Sequence, residues 1–284
     1  MGTRYDFARD SDDFETRTAT TAGRLPWGQR GHLRFGVADQ RYARPGDQDG
    51  DELWATAGLD MRGAATWALD GQIDGTLRHL EGGDGAWTGH LEARLLPGDR
   101  IRGTLGYSRL SYFSYTTFPA RIAADLAGGS VEARLTPALT AVLRGDWLRY
   151  EDGNERRSGK LYLSWLARPR RPRLQGEIGI HRIDHLRDPA NGIWTPRDYR
   201  AVFAHGRVEV DLALGILATL DLDGGFADDR VDPGRTPYLS FAGGLIRVFG
   251  PVRLEVLGGH SDSNVETGRG YRRSFGTVAA TIGL

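Results

Sequence analysis

The sequence has no cysteine, which excludes disulfides and thiolate metal sites. It has no net charge either: 37 basic residues stand against 37 acidic ones, so the one-signed footprint of a nucleic-acid binder is absent. No run approaches the roughly eighteen apolar residues of a membrane helix, and mean hydropathy is −0.43. No Gly-x-Ser-x-Gly, HExxH or phosphate loop occurs. The seven histidines form no metal-ligand spacing. Neither a cofactor nor a metal is expected, and the chain does not read as an enzyme. Met1-Gly2-Thr3 leads straight into TRYDFARDSDDF without a secretory signal, so an exported protein with this sequence is expected to be a piece of a longer one. A low hydropathy leaves one kind of membrane crossing open, because barrel strands are only half apolar.

What is present fits that exception. Glycine is abundant at 40 residues, with 7 Trp, 10 Tyr and 10 Phe. Between Thr66 and His79, Trp67, Leu69, Gly71, Ile73, Gly75 and Leu77 alternate with Ala68, Asp70, Gln72, Asp74, Thr76 and Arg78. Strand side chains alternate between faces, so one face is oily and the other wet. The stretch exceeds the five to six residues usual for a globular strand and suits a tilted membrane stave of about nine to eleven.

The pattern repeats along the chain. Leu33, Phe35 and Val37 oppose His32, Arg34 and Gly36; Leu53, Ala55, Ala57, Leu59 and Met61 oppose Trp54, Thr56, Gly58 and Asp60. Later, Leu161, Leu163 and Trp165 share a face, and Leu174, Ile178 and Ile180 oppose Gln175, Glu177 and His181. Thr16 to Leu25 alternates weakly, and Pro26 to Gly31 reads as a tight reversal. Near His205-Gly206 the alternation slips phase, which predicts a bulge. Tight Pro/Gly turns alternate with longer polar loops, and the strands number about sixteen. The expected fold is a single all-β domain over 1–284, a transmembrane antiparallel up-and-down barrel with short periplasmic turns and longer extracellular loops. A soluble sandwich or propeller also alternates, but no blade signature recurs.

On the wet face, Asp60, Asp70, Asp74, Glu92, Asp146, Glu177, Glu209, Asp221, Asp223 and Glu255 mix with Arg34, Arg62, Arg78, Arg94, Arg102, Arg134, Arg144, Lys160, Arg207 and Arg253. With His32, His90, His181 and Tyr162, these are the candidate lumen lining. Mixed signs on neighbouring strands predict cross-strand ion pairs. Such a lining suits an uncharged or weakly charged hydrated cargo, whereas a strongly charged one would favour a lopsided wall. Trp67, Trp87, Trp147 and Trp165 sit near strand ends on the oily face, as interfacial anchors do. Trp54, Tyr150 and Tyr162 fall on the wet face and either stack on sugar rings or fill space. The connection from Ser111 to Gly129 carries Phe118, Ile122 and Leu126 at spacing four, which predicts a short helix in a loop. The Tyr115 to Leu126 segment is the candidate gate or plug.

The opening TRYDFARDSDDF (Thr3 to Phe14), the late NGIWTPRDYR (Asn191 to Arg200) and the whole-chain barrel pattern resemble one family. It is that of the C-terminal barrels of tetratricopeptide-repeat exopolysaccharide export proteins, which carry cellulose, poly-N-acetylglucosamine or Pel. Many such barrels end in Phe, whereas this chain ends in Leu284. The resemblance implies an outer-membrane pore for a nascent polysaccharide, with a periplasmic helical-repeat scaffold and synthase machinery as partners. The alternatives are a diffusion porin or small-molecule channel, and a structural or enzymatic barrel.

Overall fold

The computed structural model describes residues 1–10, 13–28, 30–43, 49–62, 68–80, 85–96, 100–112, 122–187, 197–228, 236–262 and 272–283. Sixteen strands follow one another in chain order: β1 (Gly2–Asp10), β2 (Glu15–Trp27), β3 (Gly31–Ala43), β4 (Gly50–Arg62), β5 (Ala68–Leu80), β6 (Ala86–Leu96), β7 (Ile101–Tyr112) and β8 (Ile122–Arg134). The second half comprises β9 (Leu139–Tyr150), β10 (Glu155–Arg168), β11 (Arg173–His185), β12 (Tyr199–Asp211), β13 (Ile216–Asp228), β14 (Thr236–Phe249), β15 (Val252–Asp262) and β16 (Arg272–Ile282). Each pairs antiparallel with its sequence neighbours. β1 also pairs with β16, from Gly2 opposite Thr281 to Asp10 opposite Arg273, so the sheet closes and no edge is left open. The only helical element among the described residues is a single turn, Ala213–Gly215.

Alternation decides which side of the wall each residue occupies. Leu33, Phe35, Val37, Leu53, Met61, Ile73, Leu77, Leu91, Leu105, Leu143, Leu161, Ile178, Val202, Leu220 and Val256 are all exposed, on the outward parity of their strands. A soluble protein does not expose so large a continuous apolar band, and hydrocarbon is the solvent that fits it. Trp27 and Trp165 point outward at the short-turn end, and Trp87 and Trp147 do so at the long-loop end. They form two aromatic girdles. Trp27 thus ends a strand and does not belong to the reversal, while Trp67 lies outside the described residues. Glycines under the outward aromatics belong to the same surface. The Phe35 ring covers Gly23 and the Trp165 ring covers Gly176, each so closely that no Cβ would fit.

Two expectations are overturned. The Ser111 to Gly129 connection is largely strand: β7 runs to Tyr112 and β8 begins at Ile122. Ile122 and Leu126 belong to β8 and pack beside Ala124, Leu148 and Tyr150. Their spacing of four is two steps of a strand with small Ala124 between, which mimics a helical turn. Phe118 lies outside the described residues. The bulge near His205-Gly206 is also absent, since β11–β12 and β12–β13 keep register through it. The seeming slip arises because Tyr199, Ala201 and Phe203 are apolar residues on the inward parity. The register does shift between Leu166 and Arg168.

The apolar outer face makes a simple prediction. The purified chain is expected to require detergent and to migrate faster on gels before boiling than after; a monodisperse, detergent-free monomer would contradict the outer band.

A charge-paired lumen as the candidate functional site

Inward parity places polar side chains of β2 to β6 around a shared interior. Arg24 on β2 lies 3.1 Å from Asp60 on β4. Arg34 on β3 reaches Asp60 through Nε at 2.8 Å and Asp74 on β5 through Nη2 at 3.0 Å. One guanidinium thus bridges acids from two strands, a geometry its planar fork of donors allows. Nearer the long loops, Glu52 is fully buried. Tyr42 Oη donates to it at 2.6 Å, Arg78 Nη1 lies 3.7 Å away, and the Arg78 guanidinium stacks 4.0 Å from the Trp54 ring centroid.

The same device recurs around the wall. Arg94 pairs with Glu92 at 2.7 Å, and Arg156 with Asp146 at 2.7 Å. His205 lies 3.3 Å from Asp221 and 3.9 Å from Glu177, while Arg207 reaches Glu209 and Asp221. Arg253 pairs with Glu255 at 2.9 Å. Arg4 pairs with Asp6, which also accepts from Thr277 Oγ1 at 2.6 Å. Arg102 stands directly opposite Glu132 in the β7–β8 register. Lys160, beside Arg144 in the register, lies 4.0 Å from the Phe203 ring centroid and 5.3 Å from that of Tyr162.

The sequence-based lining therefore falls on one side of the wall: Asp60, Asp74, Arg78, Glu92, Arg94, Arg102, Arg134, Arg144, Asp146, Lys160, Tyr162, Glu177, His181, Asp221, Asp223, Arg253 and Glu255 all have inward parity. Arg62 and Asp70 are directly opposite each other in register, but their side chains lie outside the described residues. Sequence reasoning did not single out Arg4, Asp6, Arg24, Glu52, Arg156 or His205. Each was readable from the parity of its strand, although nothing in the sequence named its partner.

The interior is lopsided in shape. On β9 to β14, Val142, Tyr162 and Phe203 form a buried cluster with Tyr238 against it, and Ile183, Tyr199, Ala201 and Ala227 form a second. Tyr162 and Phe203 meet edge to face with centroids 6.1 Å apart. Gly179 and Gly225 lie beneath this layer with no room for a Cβ. A cavity of about 1400 Å³ lies instead against β14 to β16 and β1 to β4, and a smaller one of about 410 Å³ against β12 to β15. Lys160, His181, Tyr199, Phe203, Asp223 and Tyr238 border it from the packed side.

Hydroxyl–imidazole pairs occur at Ser108–His90 (2.8 Å) and Ser158–His181 (3.1 Å). Glu92 lies 3.9 Å from His90 and is engaged by Arg94, so it does not orient the ring as a catalytic triad requires. Outside the membrane-spanning strands, Asp198 joins Arg182 and Arg200 at 2.8 and 2.7 Å. The Arg200 hydrogen bond, helped by both charges, holds its carboxyl below the usual range, so this rim pairing persists as pH falls into that range.

No protein-family model and no curated protein matches the sequence. Among solved structures, one described as a bacterial polysaccharide outer membrane secretin superposes with a TM-score of 0.77 at 10% identity, covering 100% of this chain and 98% of the other. CdiB from Acinetobacter baumannii gives 0.55 at 10% identity and covers 98% of this chain and 59% of that one. Pseudomonas aeruginosa OccK10 gives 0.48 at 10% identity over 100% and 98% of the two chains. Fold, lipid-facing band and girdles agree: the chain is a closed 16-stranded β-barrel of the outer membrane, enclosing a polar lumen.

Proposed function

We propose that this barrel exports a nascent exopolysaccharide from periplasm to cell surface. The observation that carries the reading is the charge-paired lining. Acids and bases engage each other both along and across strands, so the wall offers no one-signed field to a strongly ionic cargo. Hydroxyls, amides and aromatic edges remain for a hydrated, weakly charged chain. The fold likeness to a polysaccharide secretin and the sequence resemblance to repeat-linked export barrels point the same way. A periplasmic repeat scaffold and a polymer synthase complete the proposed assembly. Ile122 and Leu126 serve the wall and not a gate: deleting Ile122 to Leu126 would remove the first five residues of β8 and breach it.

The test is genetic. In a strain whose polymer synthase is intact, loss of this barrel is expected to leave polymer in the periplasm, and restoring it should return polymer to the medium. Unchanged secretion overturns the reading. A small-molecule channel is the second reading, favoured by the packed aromatic side that narrows the lumen; solute uptake in liposomes at unchanged polymer secretion would select it.

Balanced pairing also predicts weak ion selectivity. In a KCl gradient the reversal potential is expected near zero, and Arg34→Met, which removes the arginine partner of Asp74 and leaves Asp60 to Arg24 alone, is expected to shift it toward cation preference. An unchanged potential would mean that Arg34 lies off the ion path.

A further inference from the structure

The charged lining is largely self-satisfied, which raises the question of what remains to hold a cargo. Thr16, Thr18 and Thr20 on β2 all line the cavity. Among the described residues their hydroxyls have no side-chain partner, in contrast to Thr56, which pairs with Thr76 at 2.8 Å. The strands beside this ladder set Arg4, Asp6 and Ala8 of β1 and Ala38, Gln40 and Tyr42 of β3 against the three threonines. Ala8 faces Thr16 from β1, and Ala38 faces Thr20 from β3. Across the cavity stands Tyr238, half-buried at the edge of the packed side.

We propose that β2 forms a binding track for an uncharged, hydroxylated chain, held between the threonine ladder and Tyr238. The inference rests on the export reading and names where the polymer is held. A pyranose ring has a hydroxyl edge and an apolar C–H face. The ladder offers each hydroxyl edge a donor and an acceptor, and Tyr238 offers the other face a π surface. Successive threonines on one face are about 6.6–6.8 Å apart, so an extended chain meets one after another as it slides. Neutral hydroxyls bind weakly enough to release, as a conducting pathway requires.

The experiment uses the full chain in planar bilayers, with a neutral hexose oligosaccharide as blocker. In the wild type, block events are expected. In Thr16→Val/Thr18→Val/Thr20→Val, which keeps β-branched shape, dwell time is expected to fall about tenfold or more, as losing net hydrogen bonds implies. Small-ion conductance should hold, showing an intact pore. Serine at the same three positions should keep most of the dwell time. Unchanged dwell in the valine variant, with wild-type blocks present, overturns the track and leaves the export reading standing. Absence of block in the wild type overturns both.

Discussion

Arginine at both Ile73 and Leu91 is expected to abolish assembly of the barrel. These residues are directly opposite on β5 and β6 and both are exposed on the outer face. A charged guanidinium near the bilayer midplane costs about 2–4 kcal/mol in a barrel wall. Two costs of that size are comparable to the roughly 5–15 kcal/mol that stabilises a typical folded domain. Folding into liposomes, followed by heat-modifiable migration and protease protection, measures the outcome. The control is one residue away: Gln72→Arg on the inward parity stands opposite Glu92, a counter-ion it would share with Arg94. It is expected to assemble normally. Equal tolerance at both positions would show that the outer face does not meet lipid.

Glu52→Leu is expected to destabilise the barrel by about 3 kcal/mol, measured by urea unfolding in detergent. Removing one member of a buried ion pair strands the other charge, typically at a cost of about 3–5 kcal/mol. The lower end applies here because Arg78 keeps some exposure and its stacking on Trp54. Tyr42 also loses its acceptor. Glu52→Gln, which retains an oxygen acceptor for Tyr42, should cost less. If leucine proves neutral, the long-loop end of β3 to β5 is held by its apolar neighbours and the buried pair contributes little.

The lumen was legible as a face but not as a network. Asp60 and Asp74 were readable as inward acids from alternation within β4 and β5. That Arg34 bridges them depends on the register of three strands, which no local pattern specifies. The threonine ladder was hidden for another reason: β2 alternates Thr with Arg17, Ala19 and Thr21, so its hydropathy contrast is faint. The helix expected at Ile122 to Leu126 failed because inward apolar residues at every second or fourth position fit either period; pairing with β7 and β9 decided for strand. Tyr199 and Phe203 misled similarly, since apolar side chains on the wet parity look like a slipped phase.

By itself, the sequence determined the barrel, the face that the clearly alternating residues take, the two ends and the neutral balance of the lining. Those properties follow from period-two alternation and turn composition, which are local. Only the tertiary structure decided that the interior is eccentric, packed with aromatics on β9 to β14 and open against β14 to β16 and β1 to β4. Closure brings strands distant in sequence to face one another across the lumen, and side-chain volume summed across that space sets where a cargo has room.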